Sequence, residues 1–89
     1  MKQIQSTNQF LRDLKLARKR GKHLGKIEAV IDMLAHGNKL APKHRPHRLR
    51  GDMKGLWECH IESDWLLIWD ETDEAIILIR SGTHADLFD

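Results

Sequence analysis

Residues 57–80 read WECHIESDWLLIWDETDEAIILIR and contain three apolar runs separated by two short polar stretches. The first run, WECHIE, alternates large apolar and polar side chains, which is the pattern of a strand with one buried face. WLLIWD and AIILIR have the length and composition of two further strands. Because the polar stretches are short, neighbouring strands are expected to run antiparallel. The segment therefore predicts a three-stranded antiparallel meander.

Two helices are predicted before the meander. Apolar residues recur at helical spacing within 10–17, and Gly21 ends this pattern. A stronger pattern within 24–34 stops at Gly37, and glycine is common just beyond the last turn of a helix. The connection between the two helices is short, so they are expected to form a hairpin.

The other segments predict a short strand at 2–5 and a loop at 38–55, with at most one further short strand, around 47–50. The predicted order is strand, helix, helix and then sheet, which is typical of an α+β fold with the helices on one sheet face. We expect a short N-terminal strand, a two-helix hairpin and a twisted antiparallel sheet of three to four strands. A chain of 89 residues has the length of one domain, 1–89.

Charge is distributed unevenly along the chain. Residues 1–54 contain 14 Lys and Arg against four Asp and Glu, whereas residues 55–89 contain one against nine. Since both parts share one small core, the fold is expected to have a strongly basic face and an acidic one. A basic face suits phosphates or an acidic protein partner. For any single lysine, an ordinary solvated position is the alternative.

The sequence contains no apolar run of 18 residues and no secretory signal, which predicts a soluble intracellular protein with no membrane partner. Its single cysteine, Cys59, has no partner for an internal disulfide. We expect Cys59 to be a small buried side chain.

Six histidines are present, and three of them are predicted to meet. His60 lies on the polar side of its strand, and His84 follows Arg80 just beyond the last strand. Strand alternation places His60, Arg80 and His84 on one open face of the sheet. The third histidine, His47, would reach this face from the basic loop at the edge of the sheet.

Three interpretations of this histidine cluster compete. A metal site is disfavoured, because His44 and His47 lie among cations and no cysteine pair or HExxH pattern accompanies them. A purely structural role suits His23 and His36, which flank the second predicted helix. The third interpretation is acid–base chemistry on a phosphodiester, which requires a proton acceptor, a proton donor and a cation.

RNA suits the third interpretation, because its own 2′-hydroxyl can act as nucleophile and no metal or cofactor is then needed. Imidazoles titrate near physiological pH, and Arg80 would bind phosphate oxygens. Trp65 or Phe88 would stack on an unpaired base, although ordinary packing in the sheet explains Trp65 equally well.

Three motifs in order resemble a known family. They are H-x-L-x-G at His47, H-[IV]-E-x-D-W from His60 to Trp65, and the ending [ST]-G-T-H-x-x-L-F at 81–88. Following two helices, they resemble the YafQ-type toxins of the RelE/ParE superfamily, which are mRNA interferases of bacterial type II toxin–antitoxin modules. The resemblance covers essentially the whole chain.

The resemblance implies a RelE-like microbial ribonuclease fold and a cytoplasmic endoribonuclease that cuts mRNA, usually in the ribosomal A site. It also implies inhibition by a cognate antitoxin, commonly in a heterotetramer, with DNA bound only through that antitoxin. No cofactor or metal is implied.

The resemblance assigns roles by position. The family's functional residues fall on His47, His60, Asp64, Trp65, His84 and Phe88. His84 is similar to the proton donor for the leaving 5′-oxygen, and Arg80 to a phosphate-binding arginine. His60 and His47 would bind phosphate or transfer protons, and Asp64 would act as a base or orient a histidine, so the identity of the base stays open. Arg48 and Arg50, in the basic stretch 42–50, would contact RNA.

Two other functions remain open from sequence. The superfamily includes ParE-like toxins that bind gyrase without cutting RNA, and a basic RNA-binding module without catalysis is a further alternative. Four ionisable groups on one face favour the nuclease over a gyrase binder, which does not require them. An RNA-binding module would differ by salt-sensitive binding without cleavage.

Overall fold

The computed structural model describes residues 1–88 and has the predicted α+β architecture, with helices packed on one face of a sheet. Its elements are β1 (Gln3–Ser6), α1 (Asn8–Lys19), α2 (Leu24–Ala35), β2 (His47–Arg48), β3 (Trp57–Glu62), β4 (Trp65–Glu71), β5 (Ala75–Gly82) and α3 (His84–Phe88). Short 3-10 turns occupy Pro42–His44 and Gly51–Met53. Within the described part of the chain, no helix has the length and apolar character needed to cross a membrane.

The sheet has five strands in the order β1-β5-β4-β3-β2. The meander β3-β4-β5 is antiparallel, as predicted. The predicted fold class is confirmed, and the sheet has one strand more than the three to four expected, because the N-terminal strand β1 joins it. β1 pairs in parallel with β5, so the sheet is mixed. This parallel pairing is possible because α1 and α2 connect β1 to the meander across one face of the sheet.

The helix side of the sheet carries the main core. Its buried residues are Phe10, Ala17, Ile27, Val30, Leu40, Cys59, Ile61, Trp65, Leu67, Trp69, Ile76 and Leu78. The predicted burial of Cys59 is confirmed, and that burial, with the charge of Glu58, raises the pKa of its thiol to about 12. The thiol is therefore protonated and inert at physiological pH.

The other face has a smaller apolar cluster built around Leu66, Ile68 and Leu87. α3 and the loop between β2 and β3 cover its middle, through Leu87 and partly buried side chains such as Met53. His60 pairs with Leu66 near the β3–β4 turn and remains partly exposed. One end of this face is therefore open.

A β-bulge in β5 decides where Arg80 points. Trp69 pairs with Leu78 and Ile68 pairs with Arg80, so Ile79 is an extra residue in the ladder. Unbroken alternation would place Arg80 on the helix side with Leu78. The bulge instead pairs Arg80 with Ile68, and its guanidinium reaches Asp13 of α1.

Candidate active site

His84 is fixed by Asp64 through two hydrogen bonds. Asp64, in the β3–β4 turn, accepts one bond from the His84 backbone amide at 2.8 Å and one from its ring Nδ1 at 2.5 Å. These bonds, first that from the backbone amide, lower the pKa of Asp64. Because a carboxylate only accepts, the His84 Nδ1 carries a proton, and Nε2 is the nitrogen left for substrate.

The His60 ring lies beside the His84 ring, and its Nδ1 also faces a hydrogen-bond acceptor. The centres of the two rings are 5.8 Å apart. The His60 Nδ1 lies 3.3 Å from the carbonyl oxygen of Ser63, an acceptor, which again leaves Nε2 for substrate. The structure thus brings together the imidazole of His60 in β3 and that of His84 at the start of α3, and the predicted convergence of these two rings is confirmed.

His47 has a different environment. Its Nδ1 lies 3.0 Å from the Arg45 carbonyl, and its Nε2 lies 3.3 Å from Oε1 of Glu58. Both ring nitrogens of His47 therefore lie against protein oxygen atoms, whereas His60 and His84 each leave Nε2 for substrate.

Glu58 is a site residue that the sequence interpretation missed. Its side chain is only 7% exposed, and Oε2 is buried without a hydrogen-bond partner among the described residues. Glu58 precedes His60 by two residues in β3, so the two side chains share a face about 7 Å apart. This spacing was visible in the sequence and was the available signal.

Arg80 does not stand free beside the histidines, because Asp13 of α1 holds it. Arg80 Nε donates to Asp13 Oδ2 at 2.8 Å, and Nη2 donates to Oδ1 at 3.3 Å. The buried Asp13 also accepts the Ser81 amide at 3.0 Å. Hydrogen bonding to Asp13 raises the pKa of Arg80. Within residues 1–88, Nη1 is the guanidinium nitrogen left for a phosphate.

The predicted stacking of Trp65 on an RNA base is wrong. Its indole is 2% exposed, lies in the core on the helix side, and donates from Nε1 to the Ser81 hydroxyl at 3.1 Å. Trp65 begins β4, and its alternation with Leu67 and Trp69 turns it towards the helices. Ordinary packing in the sheet, the other explanation considered for Trp65, therefore accounts for its position.

Phe88 and Arg50 line one depression, whereas Arg48 lies against Trp57, on the other face of the sheet. Phe88 is 49% exposed in the last turn of α3, beside a depression of about 350 Å³ that Arg50 and Met53 also line. Arg48 lies over the ring of Trp57 at 4.9 Å, paired with it on the face opposite His47. Arg48 is exposed and its role in binding RNA stays a prediction.

Comparison with known proteins identifies the family. A family model described as the bacterial toxin of a type II toxin–antitoxin system, YafQ, matches residues 2–89. The chain belongs to the YafQ toxin family. The mRNA interferase toxin YafQ of Escherichia coli strain K12 is 37% identical over 86 residues, which cover 96% of this chain and 94% of that protein.

Solved structures of bacterial toxins have the same fold. The match to the crystal structure of the E. coli DinJ–YafQ toxin–antitoxin complex has a TM-score of 0.92 at 36% identity and covers 99% of this chain and 98% of that one. A metal-bound toxin from Helicobacter pylori has a TM-score of 0.93 at 36% identity, covering 99% and 100%. In residues 1–88 of this YafQ-family chain, no three His, Cys, Asp or Glu side chains are grouped in a way that could hold a metal ion.

Proposed function

We propose that this YafQ-family toxin is an mRNA interferase that cuts RNA with His60 as general base and His84 as general acid. The observation that carries the proposal is the pair of rings 5.8 Å apart, each with its Nδ1 against an acceptor. The E. coli relative, named an mRNA interferase toxin, supports the same activity.

The first step forms a bond from the ribose 2′-oxygen to the adjacent phosphorus. His60 Nε2 takes the 2′-hydroxyl proton as the oxygen attacks. The neutral Ser63 carbonyl holds the His60 ring without an added negative charge, which suits a ring that begins the reaction unprotonated.

The second step breaks the bond between phosphorus and the 5′-oxygen. His84 Nε2 donates its proton to that oxygen, and Asp64 stabilises the ring while it is protonated. The products are a 2′,3′-cyclic phosphate and a 5′-hydroxyl. His47, beside Glu58, and Nη1 of Arg80 would bind the phosphoryl oxygens as charge builds on them.

We further propose that the message is bound on the ribosome, in the cytoplasm. Arg50 and Phe88 border one depression, where the exposed ring would stack on an unpaired base and the guanidinium would bind a phosphate. The basic stretch 42–50 would reach ribosomal RNA as well as the message.

A cognate antitoxin is the proposed protein partner. The E. coli relative has been crystallised with the antitoxin DinJ. By analogy, this toxin would form a hetero-oligomer, a heterotetramer in our proposal, and would meet DNA only through the antitoxin.

The test compares His84→Ala and His60→Ala with His36→Ala, whose ring lies on the surface at the end of α2. On ribosomes programmed with mRNA, the two site variants should lose about 10²- to 10⁴-fold in cleavage rate. His36→Ala should cut normally and leave 2′,3′-cyclic phosphate and 5′-hydroxyl ends. Cut ends carrying a 5′-phosphate, or intact message with broken DNA in expressing cells, would refute the proposal.

A further inference from the structure

α3, which begins with His84, is too short to be stable by itself. It has five residues, and isolated helices of that length do not form in water. Thr83 and Asp86 form a capping box around its first turn. The Thr83 amide donates to Asp86 Oδ2 at 2.9 Å, and the Asp86 amide donates to the Thr83 hydroxyl at 3.1 Å.

Arg20, just beyond the end of α1, forms an ion pair with the carboxylate of Asp86. Its Nη1 donates to Asp86 Oδ2 at 2.6 Å and its Nη2 to Oδ1 at 3.2 Å, a two-pronged contact between distant parts of the chain. Hydrogen bonding to Arg20 is the main reason that the pKa of Asp86 is far below its usual range. The carboxylate is therefore ionised at any physiological pH.

Gly82 provides the space that this arrangement needs. A Cβ atom at Gly82 would lie 2.9 Å from both Cβ and Oδ2 of Asp86, which is closer than such atoms approach in proteins. Its φ angle lies outside the left-handed region, so the requirement is for space and not for backbone freedom. The close approach of Asp86 is thus built into β5 as well as into α3.

We propose that Asp86 is a positioning residue for His84 and that Arg20 holds Asp86 in place. This inference rests on the proposed role of His84 as general acid. The His84 ring must stay bonded to Asp64 while its centre lies 5.8 Å from that of His60. A displacement of about 1 Å in a catalytic group can cost roughly a hundredfold in rate.

Arg20→Gln removes the contact between Arg20 and Asp86 and leaves the capping box of Thr83 and Asp86 intact. Arg18→Gln is the matched control, because it removes one positive charge from an exposed position on the same helix. We expect Arg20→Gln to lower kcat about 10- to 100-fold and Arg18→Gln to leave kcat unchanged. Any rise in KM from weaker RNA attraction should be common to both variants. Arg20→Lys keeps the positive charge but loses the paired hydrogen bonds of the guanidinium to Asp86, so it should give an intermediate kcat.

A second measurement, NMR, reports directly on the environment of the His84 ring. In ¹⁵N NMR spectra, Arg20→Gln should broaden or shift the His84 ring nitrogens and leave those of His60 unchanged. Gly82→Ala, which displaces Asp86 from the other side, should give the same signature. Unchanged His84 signals in Arg20→Gln, or equal kcat values in Arg20→Gln and Arg18→Gln, would overturn the inference. Failure of the native toxin to cut RNA would instead refute the proposed function, and the ring signals would still decide the positioning role.

Discussion

At the scale of single residues, burial decides which side chains can meet a substrate. Trp65 has a ring suited to stacking on bases, yet it is buried and bonded to Ser81. Phe88, a smaller ring in the last turn of α3, is exposed beside the depression that Arg50 also lines. We therefore expect separable roles for the two aromatics, Trp65 in stability and Phe88 in RNA binding.

Trp65→Phe is expected to destabilise the fold without altering the chemistry. Loss of the indole hydrogen bond and of part of the ring should cost about 1–3 kcal/mol in the free energy of unfolding. Cleavage per folded molecule should not change. Phe88→Ala should do the opposite, weakening RNA cleavage with little change in Tm. Reduced cleavage by a fully folded Trp65→Phe variant would show that the indole acts on substrate.

Glu58 is expected to lower stability in exchange for function. A buried carboxylate oxygen without a partner is unfavourable, so Glu58→Met should raise the free energy of unfolding by about 1 kcal/mol, or roughly 4–8 °C in Tm. The same change removes the anion beside His47 and should lower cleavage about tenfold. Thermal melting and cleavage assays measure both effects. A variant that is less stable, or fully active, would contradict this role.

The convergence of His60 and His84 was predicted from strand alternation, and Asp64 as a base or an orienter of a histidine from the family resemblance, whereas the other partners of the site residues were not predicted. Ser63 and Arg45 act through backbone carbonyls, whose directions depend on local turn geometry. Asp13 lies in a helix, and no pattern in the sequence indicates that it meets Arg80. Contacts between a loop or helix and a distant strand are set by packing, which a single sequence does not encode locally.

At the scale of elements, Glu62 links β3 to the segment that begins α2. Its carboxylate accepts bonds from Lys22 at 2.8 Å and Lys26 at 2.7 Å, and these bonds lower its pKa to about 2. A depressed folded-state pKa means that the stabilisation is present above the unfolded pKa of about 4.3 and is lost as pH falls towards 2.

Glu62→Gln should therefore flatten the pH dependence of stability between about pH 4.5 and 2. Thermal melts across this range should show native and variant proteins differing at pH 6 and converging near pH 2. Glu28→Gln, at an exposed position on α2, is the control and should follow the native curve. A Glu62→Gln variant with the native pH profile would contradict the link.

The elements themselves followed from local patterns, and their pairing did so only in part. The meander was predictable because its turns are short. The parallel partner of β5 and the bulge at Ile79 were not, because the first joins opposite ends of the chain and the second interrupts an otherwise regular apolar run.

At the scale of the whole molecule, the proposed acid, base and cations come from four separate segments of the chain. The RNA supplies the nucleophile, so the proposed reaction needs no metal. We expect toxin dialysed against EDTA, with the chelator then removed, to cut programmed mRNA at the native rate. Activity that falls on dialysis and returns with a divalent cation would contradict this, and the metal-bound H. pylori relative makes the measurement worthwhile.

The central claim is that His84 protonates the leaving 5′-oxygen while His60 activates the 2′-hydroxyl. The most direct test uses a message with sulfur in place of that 5′-oxygen, because a thiolate leaves without protonation. We predict that His84→Gln cuts this substrate at nearly the native rate, whereas His60→Gln stays slow. Equal slowness of both variants on the sulfur-containing message would contradict the account.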